Sequence, residues 1–217
     1  MVRNSMLYIL GLILCEIILL IFAERKGNSY LIVFILISLL ASIANSNSLI
    51  NIGYYSCSGE SLFGTSAFLG HSIIREKFGL DRYNRNAGRI FFGIAAGTLF
   101  TYLSYLSANA ANHFILLKQS LTAVTSIWLA FYISHLLYIS IVNTCDAHNF
   151  KNQYLLAAIL CQAVTALIIA IACFDLDRIF ELFFTGFLLK LSFILVTFPY
   201  LVYLKNKVIL SSTETVV

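Results

Sequence analysis

Long apolar stretches recur along the whole chain and are separated by short polar segments. Each stretch has roughly 17 to 25 residues, enough for an α-helix to cross about 30 Å of hydrocarbon. Seven candidate spans result, of which the third is the least apolar: Leu7–Ala23, Tyr30 to about Asn51, Ser61–Phe78, Ile90–Ala108, Leu121–Val142, Tyr154–Cys173 and Ile179–Leu204. The pattern predicts an all-α fold, a polytopic membrane helical bundle of six to seven transmembrane helices.

The first span allows two interpretations. A cleaved signal peptide would also follow a short basic start such as the one that contains Arg3. However, Glu16 interrupts the apolar stretch, and no small-x-small cleavage site clearly follows it. We therefore predict a retained helix.

The distribution of Lys and Arg between the spans predicts the orientation. If all seven segments cross, the N-terminus lies outside and these basic residues share the cytoplasmic side: Arg25, Lys26, Arg75, Lys77, Arg82, Arg85, Arg89, Lys151, Lys205 and Lys207. The other side then holds Arg3, Lys118 and Arg178. If the third segment instead dips in and returns, Arg3 joins the cytoplasmic side, while Arg25 and Lys26 leave it. Both arrangements place the C-terminus in the cytoplasm.

Composition supports a single membrane domain, residues 1–210, followed by a polar tail, residues 211–217, that we predict to be disordered. The 217 residues are 60% hydrophobic and only 11% charged, whereas soluble domains carry about 25% charged residues. The mean hydropathy is +0.89. Membrane orientation already explains the net charge of +4, so we predict no nucleic-acid partner.

The sequence carries no recognisable motif for catalysis. The five cysteines, which are Cys15, Cys57, Cys145, Cys161 and Cys173, show no close spacing that would indicate a metal or redox site. The sequence has no glycine-rich phosphate loop and no Ser/His/Asp order typical of acyl transfer. We therefore predict that the chain is not an enzyme and that it needs no cofactor or metal.

A few polar residues lie inside the apolar segments, where an ionisable group is costly and usually faces a cavity or a partner. Glu16 and Lys190 lie near the middle of the first and last spans, and one interpretation is that they neutralise one another. Three asparagines, Asn45, Asn47 and Asn51, lie toward the end of the second span. The third segment ends in His71, Ser72, Arg75, Glu76 and Lys77, which is either a solvated helix end or part of a site.

The residues Phe68-Leu-Gly-His-Ser-Ile-Ile-Arg-Glu-Lys-Phe-Gly79 resemble the signature of the queuosine precursor transporters, also called the vitamin uptake transporter family. That signature reads approximately Phe-Leu-x-Thr-Asp-Ile-Ile-x-Glu-x-Tyr-Gly. The resemblance continues in order through Ala44-Asn45, the segment from Ser126 to Leu137, and Lys190 with Pro199 nine residues on. It covers roughly residues 40 to 205.

The chain also departs from this family pattern. His71-Ser72 stands where the family has Thr-Asp, and Tyr138 and Thr165 stand at two further family aspartates. A family lysine after the asparagine of the second helix is missing, with Asn51 nearby.

The resemblance implies uptake of a 7-deazaguanine base such as queuine, preQ1 or preQ0 across a bacterial inner (plasma) membrane. It also implies an architecture like the substrate-binding subunits of energy-coupling-factor importers, with about six helices and with an energising ATPase as a possible partner protein. A degenerate or scaffold protein without transport is the alternative. The implied substrate-binding residues, each of which also has a structural interpretation, are Asn45, His71, Ser72, Glu76, His135, Tyr138, Gln162, Thr165 and Lys190.

Overall fold

The computed structural model describes residues 2–45, 49–52, 55–108, 113–143, 150–174 and 176–214. Over these residues the chain forms seven α-helices: α1 (Val2–Lys26), α2 (Asn28–Asn45), α3 (Glu60–Phe78), α4 (Leu80–Ala108), α5 (His113–Asn143), α6 (Phe150–Cys173) and α7 (Ile179–Glu214). A two-stranded antiparallel hairpin, β1 (Leu49–Ile52) and β2 (Tyr55–Ser58), connects α2 to α3, and a 3-10 turn, Leu176–Arg178, precedes α7. The predicted all-α fold is confirmed.

Four helices are long and apolar enough to cross a membrane, counted over the described residues only. They contain Asn28–Asn45 in α2, Thr122–Val142 in α5, Asn152–Cys173 in α6 and Ile179–Lys207 in α7. The structure thus has the apolar helices of a membrane protein.

The predicted second span is too long. α2 ends at Asn45, and Asn51 lies in strand β1, where its side-chain oxygen accepts a hydrogen bond of 2.9 Å from Ser56 Oγ. Asparagine and serine side chains compete with helical backbone hydrogen bonds, so a run of them favours a helix end. The last span shows the opposite difference, because α7 continues through Glu214, beyond the predicted domain boundary at residue 210.

Helix α3 lies at the centre of the bundle. It contacts α1, α2, α4, α5 and α7, and most of its side chains are buried. Because other helices surround it, its polar residues face protein rather than lipid. This position allows α3 to be helical throughout although it carries many polar residues. The same polar residues prevent hydropathy alone from identifying α3 as a membrane span.

Single glycines join two pairs of helices. Gly27 (φ 113°) links α1 to α2, and Gly79 (φ 86°) links α3 to α4. Each glycine N–H continues the preceding helix by donating to Ala23 O at 3.1 Å or to Arg75 O at 3.0 Å. A side chain with a Cβ rarely adopts such a positive φ, so glycine permits these sharp turns.

Contacts between helix ends give the bundle two distinct ends. We call the end that contains Gly27 and Gly79 the basic end, and the end that contains the β-hairpin the hairpin end. α3 and α7 run in the same direction, because the first turn of α3 contacts Lys190 while Glu76, near its last turn, contacts Lys205. Polar side chains follow α3 from one end to the other, and the predicted site residues lie along this line.

Candidate functional site

The structure divides the predicted site residues into two buried groups on opposite halves of α3. The hairpin-end group brings together Gln162, Thr165 and Lys190, and adds Glu60 and Thr65. The basic-end group brings together His71, Glu76, His135 and Tyr138, and adds Tyr83 and Lys205. Ser72 and Asn45 instead hydrogen-bond to the backbone of their own helices, at Phe68 O (2.9 Å) and Ala41 O (2.8 Å).

Lys190 is completely buried, and its charge is neutralised by Glu60. The Lys190 ammonium lies 2.8 Å from Glu60 Oε1 and donates to Thr165 Oγ1 at 3.2 Å. The suggested pairing of Lys190 with Glu16 is therefore wrong. A buried ion pair seldom stabilises a fold more than apolar packing would, so the pair needs a further explanation.

Gln162 connects the ion pair to α3. Its Oε1 accepts hydrogen bonds from the hydroxyls of Thr65 and Thr165, both at 3.4 Å. Two buried atoms of this group, Gln162 Nε2 and Glu60 Oε2, have no hydrogen-bond partner within the described part of the chain. Native proteins rarely bury such groups without a partner. The hairpin-end group thus offers one hydrogen-bond donor and one carboxylate acceptor.

The Glu60 carboxylate lies across the backbone of α3 at Gly64. A Cβ on Gly64 would collide with Glu60 Oε1 and would lie 3.4 Å from Ser42 Oγ. The carboxylate is the end of a flexible side chain, but it would have to shift from its present position beside Lys190. The absence of a side chain at Gly64 therefore permits the ion pair.

We expect the Gly64→Ala variant to be less stable by about 1–2 kcal/mol, because the new methyl group weakens the buried ion pair. The measurement is the thermal unfolding midpoint of the detergent-solubilised protein. Gly11→Ala is the matched control, since a Cβ there meets no atom within 4 Å. Equal midpoints for the two variants would contradict the position assigned to the Glu60 carboxylate.

The β-hairpin covers the hairpin-end group. The Ser56 backbone N–H donates to Glu181 Oε1 of α7 at 2.8 Å, and Cys57 is fully buried. Burial raises the pKa of the Cys57 thiol to about 11, and the nearby Glu60 carboxylate adds to the rise, so the thiol stays neutral at pH 7. A cavity of about 10 Å³ beside Ser58, Glu60 and Ser61 has room for roughly one water molecule.

The basic-end group contains two imidazoles and a tyrosine ring in close contact. His71 Nε2 and His135 Nδ1 share a hydrogen bond of 3.1 Å, in which one nitrogen must donate and the other accept. The Tyr83 ring stacks on His71 with centroids 4.0 Å apart and on His135 at 4.7 Å. The Tyr83 ring therefore already packs against both imidazole rings at this level of the bundle.

Glu76 is held by several partners at once. Its Oε1 pairs with Arg75 and accepts a hydrogen bond from Tyr138 OH at 3.2 Å, while its Oε2 lies 2.8 Å from Lys205 Nζ. The Tyr138 hydroxyl thus contacts the carboxylate, and its ring packs edge-on against Phe68. Both Glu76 oxygens are engaged within the protein.

A second carboxylate on this end repeats the arrangement. Glu24 lies three residues before Gly27, just as Glu76 lies three residues before Gly79. Glu24 pairs with Lys77, and its Oε2 accepts a hydrogen bond of 2.7 Å from Tyr200 OH. Each carboxylate therefore joins a lysine and a tyrosine, and together they tie α1, α3, α5 and α7 at the basic end.

The sequence prediction missed Glu60, Tyr83, Glu24 and Lys205. A signal existed for Tyr83, because Tyr83, Ala87, Ile90 and Ile94 are aromatic or apolar residues at helical spacing, and the structure buries all four. The carboxylates gave no such signal, since their partners are remote in sequence. Asn47 and Cys145 lie outside the described residues.

The chain matches no protein-family model, no curated protein and no solved structure.

Proposed function

We propose that this protein is a membrane transporter that imports a small planar solute, a 7-deazaguanine base such as queuine, preQ1 or preQ0. One observation carries the proposal. The buried Glu60–Lys190 pair lies beside two polar atoms, Glu60 Oε2 and Gln162 Nε2, that have no partner among the described residues. A charged pair and unpaired polar groups at this depth are costly, and a polar ligand would offset that cost.

The hydrogen-bonding edge of the base complements these groups. A 7-deazaguanine presents a ring N–H and an exocyclic amine side by side, and a carboxylate accepts from both. Its carbonyl oxygen accepts from an amide or an ammonium group, which Gln162 and Lys190 offer. Glu60 suits the carboxylate role better than Glu76, because both Glu76 oxygens already have partners.

The line of polar groups along α3 supports a transport path. Glu60 and Glu76 are separated by sixteen residues of one helix, or about 24 Å at 1.5 Å per residue, which compares with about 30 Å of hydrocarbon. Tyr83, His71 and His135 lie between these two levels, and their rings, which stack on one another, would offer flat surfaces to a flat solute if they moved apart. The hairpin would close one end of the path and the Glu24 and Glu76 ion pairs the other.

We further propose that all seven helices cross the membrane, with the basic end and the C-terminus in the cytoplasm of a bacterial cell. α3 is one uninterrupted helix of 19 residues rather than a segment that turns back. Arg75, Lys77, Arg82 and Arg85 then lie on the cytoplasmic side, as the positive-inside rule requires.

Uptake of labelled queuine, preQ1 and preQ0 tests the proposal in bacterial cells that lack their own synthesis of these bases. We expect uptake only when the protein is expressed, and a loss of at least about tenfold in Glu60→Gln and Gln162→Leu, since each removes a hydrogen bond that involves a charged or buried group. Asp177→Asn is the matched control because Asp177 is exposed.

The outcomes separate the alternatives. If expression changes the uptake of none of the three bases, the substrate class is wrong and a scaffold protein without transport becomes the better interpretation. Binding of a base by the purified protein without uptake in cells would indicate a substrate-binding subunit that needs an energising partner.

A further inference from the structure

A second cavity, separate from both polar groups on α3, lies at the basic end. It has a volume of about 250 Å³ and is lined by Asn28, Arg82, Arg85, Asn86 and Arg89. Asn28 is the first residue of α2, and the other four lie in the first turns of α4. The cavity therefore lies between two helices that begin side by side.

The wall of the cavity is held in place by specific contacts. Asn86 is buried, and its Nδ2 donates to Asn28 Oδ1 at 2.7 Å, which ties α4 to α2. The Arg82 guanidinium lies over the Phe78 ring at 5.6 Å, and Arg85 Nε donates to Asp81 O at 3.3 Å. Arg82, Arg85 and Arg89 follow a spacing of three and four residues, so they share one face of α4.

The charge of this cavity favours an anion. Among the described residues that line it, three are arginines, two are asparagines and none is acidic. The N-terminus of α2 adds a partial positive charge and backbone N–H groups. Three guanidinium groups around one cavity repel each other, and a phosphate group would relieve that repulsion while accepting paired hydrogen bonds from them.

The depth of the cavity indicates the source of the phosphate. Arg89 directly precedes Ile90, where the apolar part of α4 begins, and Asn28 lies two residues before the apolar part of α2. If α2 and α4 cross the membrane, as proposed above, the cavity opens where both helices leave the apolar layer, at the level of the lipid headgroups. Basic pockets between helices at this level suit anionic headgroups. We propose that this cavity binds the phosphate group of an anionic phospholipid.

Thermal unfolding in nanodiscs tests this site. Phosphatidylcholine nanodiscs are compared with nanodiscs in which phosphatidylglycerol replaces part of the phosphatidylcholine. We expect phosphatidylglycerol to raise the unfolding midpoint of the wild-type protein by on the order of 5 °C. The rise should disappear in the triple variant Arg82→Gln/Arg85→Gln/Arg89→Gln. It should remain in Arg25→Gln/Lys26→Gln/Lys207→Gln, which removes the same charge from exposed positions.

A second experiment compares the thermal unfolding midpoint in detergent with inorganic phosphate and with chloride, at equal ionic strength.

Native mass spectrometry counts the phosphatidylglycerol molecules that the protein retains. We expect the triple arginine variant to retain at least one fewer than the wild type. This count does not depend on the variant's own stability. A phosphate effect in detergent that needs the three arginines supports the site with a soluble phosphate as its source.

Two results would overturn the proposal. One is an equal rise with phosphatidylglycerol, and equal lipid retention, in the wild type and the arginine variant. The other is the absence of any arginine-dependent effect with either phosphatidylglycerol or inorganic phosphate.

Discussion

The Lys190→Met variant is expected to lose uptake of the base by at least tenfold and to unfold more readily. Removing the ammonium group leaves the Glu60 carboxylate buried without its ion-pair partner. Breaking a buried pair on one side costs about 3–5 kcal/mol, and losing a hydrogen bond to a charged group lowers binding by about tenfold or more. Uptake in cells and the thermal midpoint in detergent measure the two effects separately.

The double variant Lys190→Met/Glu60→Gln separates folding from transport. It removes both charges, so the thermal midpoint should recover much of what Lys190→Met loses. Uptake should stay lost, because both groups that we assign to the base are gone. Lys207→Met is the control on the same helix, since Lys207 is exposed and should keep full uptake. Recovered uptake in the double variant would show that the pair serves only the fold.

Glu76→Gln is expected to destabilise the protein by about 3–5 kcal/mol, because the buried Glu76 carboxylate pairs with two cations at once. Arg75 and Lys205 both pair with it, and its side chain is only 3% exposed. Lys205→Met should cost far less, about 1 kcal/mol or below, since the Lys205 side chain is 29% exposed and partly solvated pairs contribute little. Chemical or thermal unfolding in detergent compares the two variants.

High salt provides a further check on the Glu76 network. Salt screens exposed charges far more than buried ones, so the difference between the Glu76→Gln variant and the wild type should persist at high ionic strength. A difference that vanishes in salt, or equal costs for Glu76→Gln and Lys205→Met, would indicate that Glu76 acts as an ordinary surface charge.

Local sequence predicts the helices well because each apolar run contains the information for its own helix. All seven predicted segments are at least partly helical, including the polar third segment, which became α3. The errors lie where local preferences compete. The Asn/Ser run after Ala44 ends α2 early, and Asn51 then joins a strand.

The candidate site was predicted only in part, for a different reason. The predicted site residues Gln162, Thr165 and Lys190 do come together, but the carboxylate beside them, Glu60, lies 130 residues from Lys190 in sequence. Glu24 and Tyr200 are 176 residues apart. Such pairings depend on which helices become neighbours, and neither periodicity nor composition contains that information. The sequence therefore predicted which side chains are unusual, but not which charges neutralise each other.

The central position of α3 also has a consequence for how the protein is made. Glu60 enters the growing chain long before Lys190, because translation proceeds from the N-terminus and the two residues are 130 positions apart. Until α7 has been synthesised, the Glu60 carboxyl group lacks its partner Lys190, and an unpaired ionisable group is costly in the bilayer interior. If α3 crosses the membrane, as we propose, it must therefore wait at the membrane surface, or enter in a protonated form, until the last helix arrives.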